Sequence, residues 1–126
     1  MNNLLPPFDT FRLEKHAGEY KDFHLLTDDP YPLRGVMYPV DYGDIPGYVG
    51  EDGADLDIFV GNGLLNGFIK VGRPDTNDGE HKFYVNLTEE EESAILKEFS
   101  PVLQQSKRFE TFNDLLAAIK PFEKQV

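Results

Sequence analysis

Two short acidic segments hold the residue types and spacings that could do chemistry. The first is Glu51-Asp52-Gly53-Ala54-Asp55-Leu56-Asp57-Ile58-Phe59-Val60, in which Asp52 and Asp57 lie five residues apart. Leu56, Ile58 and Val60 alternate and share one strand face, so Asp57 falls on the opposite face near the strand's start. Asp52 sits in the preceding turn, where Gly53 can supply a positive φ. A turn followed by a strand can converge oxygens from both acids on a hard divalent cation. An ordinary polar β-turn with an Asx bond accounts for the same residues. An EF-hand is excluded, because such a loop would want Asp or Asn at Ala54 and Leu56. The second segment runs from Arg73 to Lys82; Asp75 and Glu80 are again five apart, and Lys82 lies two beyond Glu80. If a strand has begun by Glu80, then Glu80 and Lys82 share a face. A cation beside metal-bound carboxylates suits a substrate that is itself an anion. The alternative is an Asn-Asp-Gly hairpin with incidental charges.

Elements must hold these segments. In the N-terminal third, Phe8, Phe11 and Leu13 alternate loosely with polar residues and could make a strand, and Asp28-Asp29-Pro30-Tyr31-Pro32 reads as a turn. The middle of the chain offers candidate strands at Gly35–Tyr38, Leu56–Val60, Gly67–Val71 and Lys82–Asn86, cut by Gly, Pro, Asp and Asn. Strands this short between frequent breakers predict a small antiparallel sheet or barrel. Gly and Pro crowding makes Tyr38 to Gly47 a rigid turn in this reading. Further on, Thr88-Glu89-Glu90-Glu91 is a capping box, and Ala94, Ile95, Phe99, Val102 and Leu103 recur at the spacing of a helix that Pro101 kinks or interrupts. A second helix starts at Thr111 as N-cap. Its buried stripe is Phe112, Leu115, Leu116 and Ile119, and Pro121 ends or bends it. Both helices read as a cover over the sheet.

The chain has 126 residues, enough for one domain spanning 1–126. Twelve basic residues against 23 acidic ones give a formal charge of -11, a field that repels nucleic acid and anionic membranes and attracts multivalent cations. Cysteine is absent, which removes disulfides, thiolate zinc sites and a cysteine nucleophile. The first residues show no basic segment followed by a long apolar run, so neither a signal peptide nor a membrane span is expected and a cytoplasmic protein is the default. His16, His24 and His81 form no pair at ligand spacing, and oxygen ligands favour Mg²⁺ over Zn²⁺.

Taken together, Tyr38-Pro39-Val40-Asp41-Tyr42-Gly43 and Ile45-Pro46-Gly47, then Asp52-Gly53-x-x-Leu56-Asp57, then Asp75 with Glu80 and Lys82, resemble soluble inorganic pyrophosphatases of the β-barrel type. The resemblance covers Tyr38 to Lys82, a little over a third of the chain. It implies an α+β fold: a small closed or partly open antiparallel β-barrel, OB-like, with the two C-terminal helices packed on it. It also implies Mg²⁺-dependent hydrolysis of pyrophosphate, a small anionic phosphate as partner, and a homo-oligomer, since family members are often hexamers or dimers. Carried over by position, Asp52, Asp57, Asp75 and Glu80 would be metal ligands, with Glu80 in place of the usual aspartate. Lys82 would hold phosphate, Tyr42 would hydrogen-bond a phosphate oxygen, and Arg34 would replace a phosphate-binding arginine at shorter spacing. Asp57, Lys82 and Tyr42 would carry the catalysis.

Several positions depart from the family pattern. The family's turn reads Asp-Gly-Asp-x-x-Asp, and the middle aspartate, which contacts the nucleophilic water, is Ala54 here. A methyl group can neither bridge metals nor take a proton, and losing a general base costs about 10²–10⁴ in rate. Asp44, where the family has an aromatic or apolar residue, is an alternative acid. The N-terminal Glu and Lys ligands and the late Tyr-Lys clamp have no counterpart; Lys107 and Arg108 are the nearest basic residues. Two further readings follow: a hydrolase of another small diphosphate in a wider pocket, and a non-catalytic relative that binds metal or phosphate.

Overall fold

The computed structural model describes residues 12–15, 17–23, 33–73 and 78–124. Its strands are β1 (Arg12–Lys15), β2 (Tyr20–Phe23), β3 (Leu33–Met37), β4 (Asp41–Val49), β5 (Asp55–Val60), β6 (Leu65–Val71), β7 (Glu80–Leu87) and β8 (Leu103–Phe109); its helices are α1 (Glu89–Glu98) and α2 (Phe112–Ile119). Strands β2 and β3 pair with each other, and the other six form one sheet in the order β1-β4-β5-β7-β6-β8.

The class is α+β, as expected, but the sheet is open and mixed. Among the described residues β1 and β8 are its two edges, with no pairing between them, and β5 runs parallel to β7. The cause is local. Residues 61–64 carry the chain from β5 over the end of β7, so β6 docks on β7's far side and β7 is left between them. The backbone amides of Gly61, Gly63 and Leu64 donate to the carbonyls of Val85, Asn86 and Leu87 at 3.1, 2.6 and 3.1 Å. A Cβ on Gly61 would lie 2.8 Å from the Asn86 carbonyl oxygen, and one on Gly63 would lie 2.5 Å from that of Leu87, so this crossing admits only glycine at both positions.

The sheet is buried on both faces, which explains the near-continuous apolar runs in its central strands. One face packs Tyr38, Tyr42, Phe59 and Ile69 against Ile95 of α1 and against Phe99. The other packs Ile45, Leu56, Ile58 and Phe83 against Leu115 and Ile119 of α2. The two helices therefore cover opposite faces.

Helix α1 begins as the capping box predicts: Thr88 Oγ1 accepts from the Glu91 amide at 3.0 Å and Glu91 Oε1 accepts from the Thr88 amide at 2.8 Å. Thr111 caps α2 by accepting from the Asp114 amide. Three expectations are corrected. The stretch read as a rigid turn is mostly β4, because an irregularity between Ile45 and Val49 absorbs Pro46 and Gly47, the latter at φ +91°. Helix α1 stops at Glu98; Pro101 sits in a short 3₁₀ turn, and Leu103 opens β8 instead of continuing a helix. Of the closed or partly open antiparallel barrel, the open form is what the structure shows, and the pairing is mixed rather than wholly antiparallel because β5 runs parallel to β7. The predicted turn at 28–32 and residues Phe8 and Phe11 lie outside the described residues. No helix among the described residues is long and apolar enough to cross a membrane.

Candidate functional site

Lys82 lies on β7, in the middle of the sheet, and its side chain is only 2% exposed. Cross-strand register decides its neighbours. Asp57 on β5 is its partner across the parallel ladder, and Asp44 on β4 is the partner of Asp57. Period two puts Asp57 on the face of Phe59, opposite Leu56 and Ile58, as its alternation predicts. Lys82 Nζ donates to Asp57 Oδ2 at 2.8 Å and to the Tyr42 hydroxyl at 2.8 Å, and it lies 3.6 Å from Glu80 Oε1. Glu80 opens β7, two residues before Lys82, so both point to one face.

The Tyr42 ring fixes this geometry from the apolar side. It stacks on Tyr38 with centroids 4.6 Å apart and planes 13° from parallel, and it tilts against Phe59 at 4.9 Å. The ammonium lies 5.1 Å from the Tyr42 ring centroid. Burial taken alone would lower the Lys82 pKa; the Tyr42 oxygen and the carboxylates of Asp57 and Glu80 outweigh that and raise it well above ordinary lysine. Burial, aided by the Asp57 charge, lifts the Tyr42 phenol well above its usual range, so the hydroxyl is neutral and keeps a proton to donate. Glu80 is raised as well: burial is the largest cause, and the negative charges of Asp57, Asp52 and Glu51 add to it against the pull of Lys82.

Asp52 lies in the β4–β5 turn. Its Oδ1 accepts from the Ala54 amide at 2.9 Å, Gly53 takes φ +82°, and Gly53 N donates to the Gly50 carbonyl at 3.0 Å. The Asx bond of the plain-turn reading is therefore present, with Asp52 close enough to load charge onto Glu80. The structure thus brings together Tyr42, Asp57, Glu80 and Lys82, with Asp52 at the margin. Asp75 lies outside the described residues, and Arg34 falls on β3 where its side chain is not described. Among the described residues no group of three or more His, Asp or Glu side chains is arranged to hold a metal ion.

One pair escaped the sequence reading. Glu51 Oε2 accepts from His81 Nδ1 at 2.5 Å, and Glu51 Oε1 accepts from the His81 amide at 3.1 Å. These residues are thirty apart in the chain, and no local pattern announces the contact.

Comparison with family models, curated proteins and solved structures returned no match for this chain.

Proposed function

We propose that the chain hydrolyses inorganic pyrophosphate slowly, with Mg²⁺, at the Tyr42–Asp57–Glu80–Lys82 cluster. The supporting observation is that residues from three strands, each assigned a role by the pyrophosphatase resemblance, surround one ammonium group. On this reading the open sheet is a pared-down counterpart of the family's OB-like barrel, a small anionic phosphate is the partner, and the compartment is the cytoplasm.

The donor set is all oxygen, which suits a hard cation. Asp52, Asp57, Asp75 and Glu80 would hold it. Mg²⁺ supplies charge neutralisation and a more acidic water when bound. The chain's own residues do the rest. Lys82 places a permanent positive charge beside the carboxylates and offsets the charge of the diphosphate. Tyr42 accepts from Lys82 and directs its remaining proton at a phosphate oxygen. Arg34 would add a second cation. Ala54 removes the carboxylate that the family places at the attacking water, so the proposed rate is low.

A specific observation favours a second reading. Lys82 is nearly inaccessible and already pairs with Tyr42 and Asp57. Such a cluster is equally suited to a relative that binds metal or phosphate without turnover.

Phosphate release from pyrophosphate, with and without Mg²⁺, tests the proposal. Release that requires Mg²⁺, and that rises by about 10²-fold or more in Ala54→Asp, is the expected result. No release from either protein, together with calorimetric binding of Mg²⁺ and a non-hydrolysable diphosphate, replaces the first reading with the second.

A further inference from the structure

We infer that Glu51 and His81 form a latch that pins the Asp52 turn to β7 and so positions Asp52 for the proposed cation site. The inference rests on reading that site as one for a divalent cation. It concerns residues that the pyrophosphatase resemblance leaves without a role.

The pair sits at a junction. Glu51 immediately precedes Asp52, and His81 stands between Glu80 and Lys82. Alternation along β7 sends the His81 ring to the α2 face while Glu80 and Lys82 face α1. The latch therefore closes from the far side of the sheet, where it does not compete for the cluster's ligands.

Each half of the latch is held. The His81 ring lies 5.0 Å from Phe68 and 5.4 Å from Phe122, edge-on to the latter, and it stacks on Phe83 with planes 18° apart. A ring packed against three phenylalanines and carried by a central strand holds its place, so the turn comes to it. Glu51 uses both carboxylate oxygens on one residue, accepting from the His81 backbone and from Nδ1. Two bonds fix the plane of a carboxylate where one bond leaves it free to rotate. A carboxylate only accepts, so Nδ1 carries the proton in this bond.

The turn itself is braced. Gly50 N donates to the Ala54 carbonyl at 2.8 Å, and Ala54 N donates to Asp52. The pairing of Val49 with Asp55 fixes where the turn leaves the sheet, and a tether to β7 limits how far its tip can swing. The latch supplies that tether one residue from Asp52. Partners that orient a metal ligand change metal affinity by about 10–100-fold when removed.

Three variants test the inference: Glu51→Ala, His81→Leu and His81→Asn, the last keeping an N–H near the Nδ1 position. Amide exchange is read at Gly53 and Ala54, with Ile58 and Val85 as core controls. Mn²⁺ is titrated against each protein, and line broadening of the Gly53 and Glu80 amide signals is followed. Glu51→Ala and His81→Leu should each speed exchange at Gly53 and Ala54 by about tenfold and leave the controls unchanged. Both should raise the Mn²⁺ midpoint by about tenfold, and His81→Asn should restore most of it. Unchanged exchange in Glu51→Ala overturns the latch. So does an unmoved Mn²⁺ midpoint, or wild-type protein whose Gly53 and Glu80 signals ignore Mn²⁺. Failure of the hydrolysis reading looks different: no phosphate is released, while exchange and the Mn²⁺ midpoint still respond to the latch variants.

Discussion

Lys82 is the residue on which the others depend. Its ammonium is the buried counter-charge to Asp57 and Glu80, so removing it leaves a part-buried and a buried carboxylate without their cation. Breaking a buried pair from one side costs about 3–5 kcal/mol, much of it the penalty on the abandoned charge. Lys82→Met should therefore destabilise the fold by about 3–5 kcal/mol in urea unfolding. Asp57→Asn removes the nearer orphan, so the double variant should lose less than the sum of the two single losses. Strict additivity would mean the pair is not coupled. At this scale the sequence was informative about faces. The Leu56/Ile58 alternation placed Asp57, and the two-residue step from Glu80 placed Lys82. It was silent on Glu51 and His81, because a contact across thirty residues depends on where β4 and β7 end up in the sheet.

At the scale of elements, Glu91 does more than close a capping box. Its Oε1 also accepts from the Asn62 amide at 3.0 Å, and its Oε2 accepts from Asn62 Nδ2 at 2.9 Å. The carboxylate thus joins the start of α1 to the crossing loop that sets the order of β5, β7 and β6. Burial acts to raise the Glu91 pKa, but the bonds from Asn62 and Thr88 outweigh it and lower it from 4.5. A depressed acid contributes stability above its unfolded pKa and loses it as pH falls through the folded one. Glu91→Gln should cost about 1 kcal/mol at pH 7, and the gap in Tm should close well below pH 4.5, where the wild-type carboxyl is protonated. A gap independent of pH would show that charge has no part in the staple. The helix starts were legible because a cap is a local event: Thr88 and Thr111 each meet an amide three residues on. Strand β8 was not legible. It is an edge strand whose Gln-Gln-Ser-Lys-Arg run is largely exposed, so no hydrophobic alternation marks it. The parallel β5–β7 pairing was hidden too, since short strands between breakers read as antiparallel neighbours, whereas residues 61–64 carry the chain across β7.

Across the whole molecule, a charge of -11 is spread over 126 residues, so the folded state repels itself. Any salt should raise Tm somewhat by screening, which makes salt alone a poor probe of the site. Magnesium separates the two effects. About 10 mM MgCl₂ matches about 30 mM NaCl in ionic strength, so a difference between them reports binding rather than screening. A ligand at about 100 times its Kd stabilises the folded state by about 2.7 kcal/mol. A domain of this size gains roughly 3–5 °C per kcal/mol, so a saturated site would lift Tm by about 10 °C. Glu80→Gln tests the origin of that increment with opposite signs. Burial, reinforced by the charges of Asp57, Asp52 and Glu51, holds the Glu80 pKa above 4.5. A raised acid stabilises the fold while protonated and gives that up as pH rises through its folded value. At pH 7 the neutral amide introduced by Glu80→Gln should therefore raise Tm in NaCl and remove most of the extra rise in MgCl₂. The two proteins would then exchange order between the salts. If MgCl₂ and NaCl act identically on the wild type, the acids around Lys82 hold no divalent cation, and the cluster is a buried ion pair of the fold.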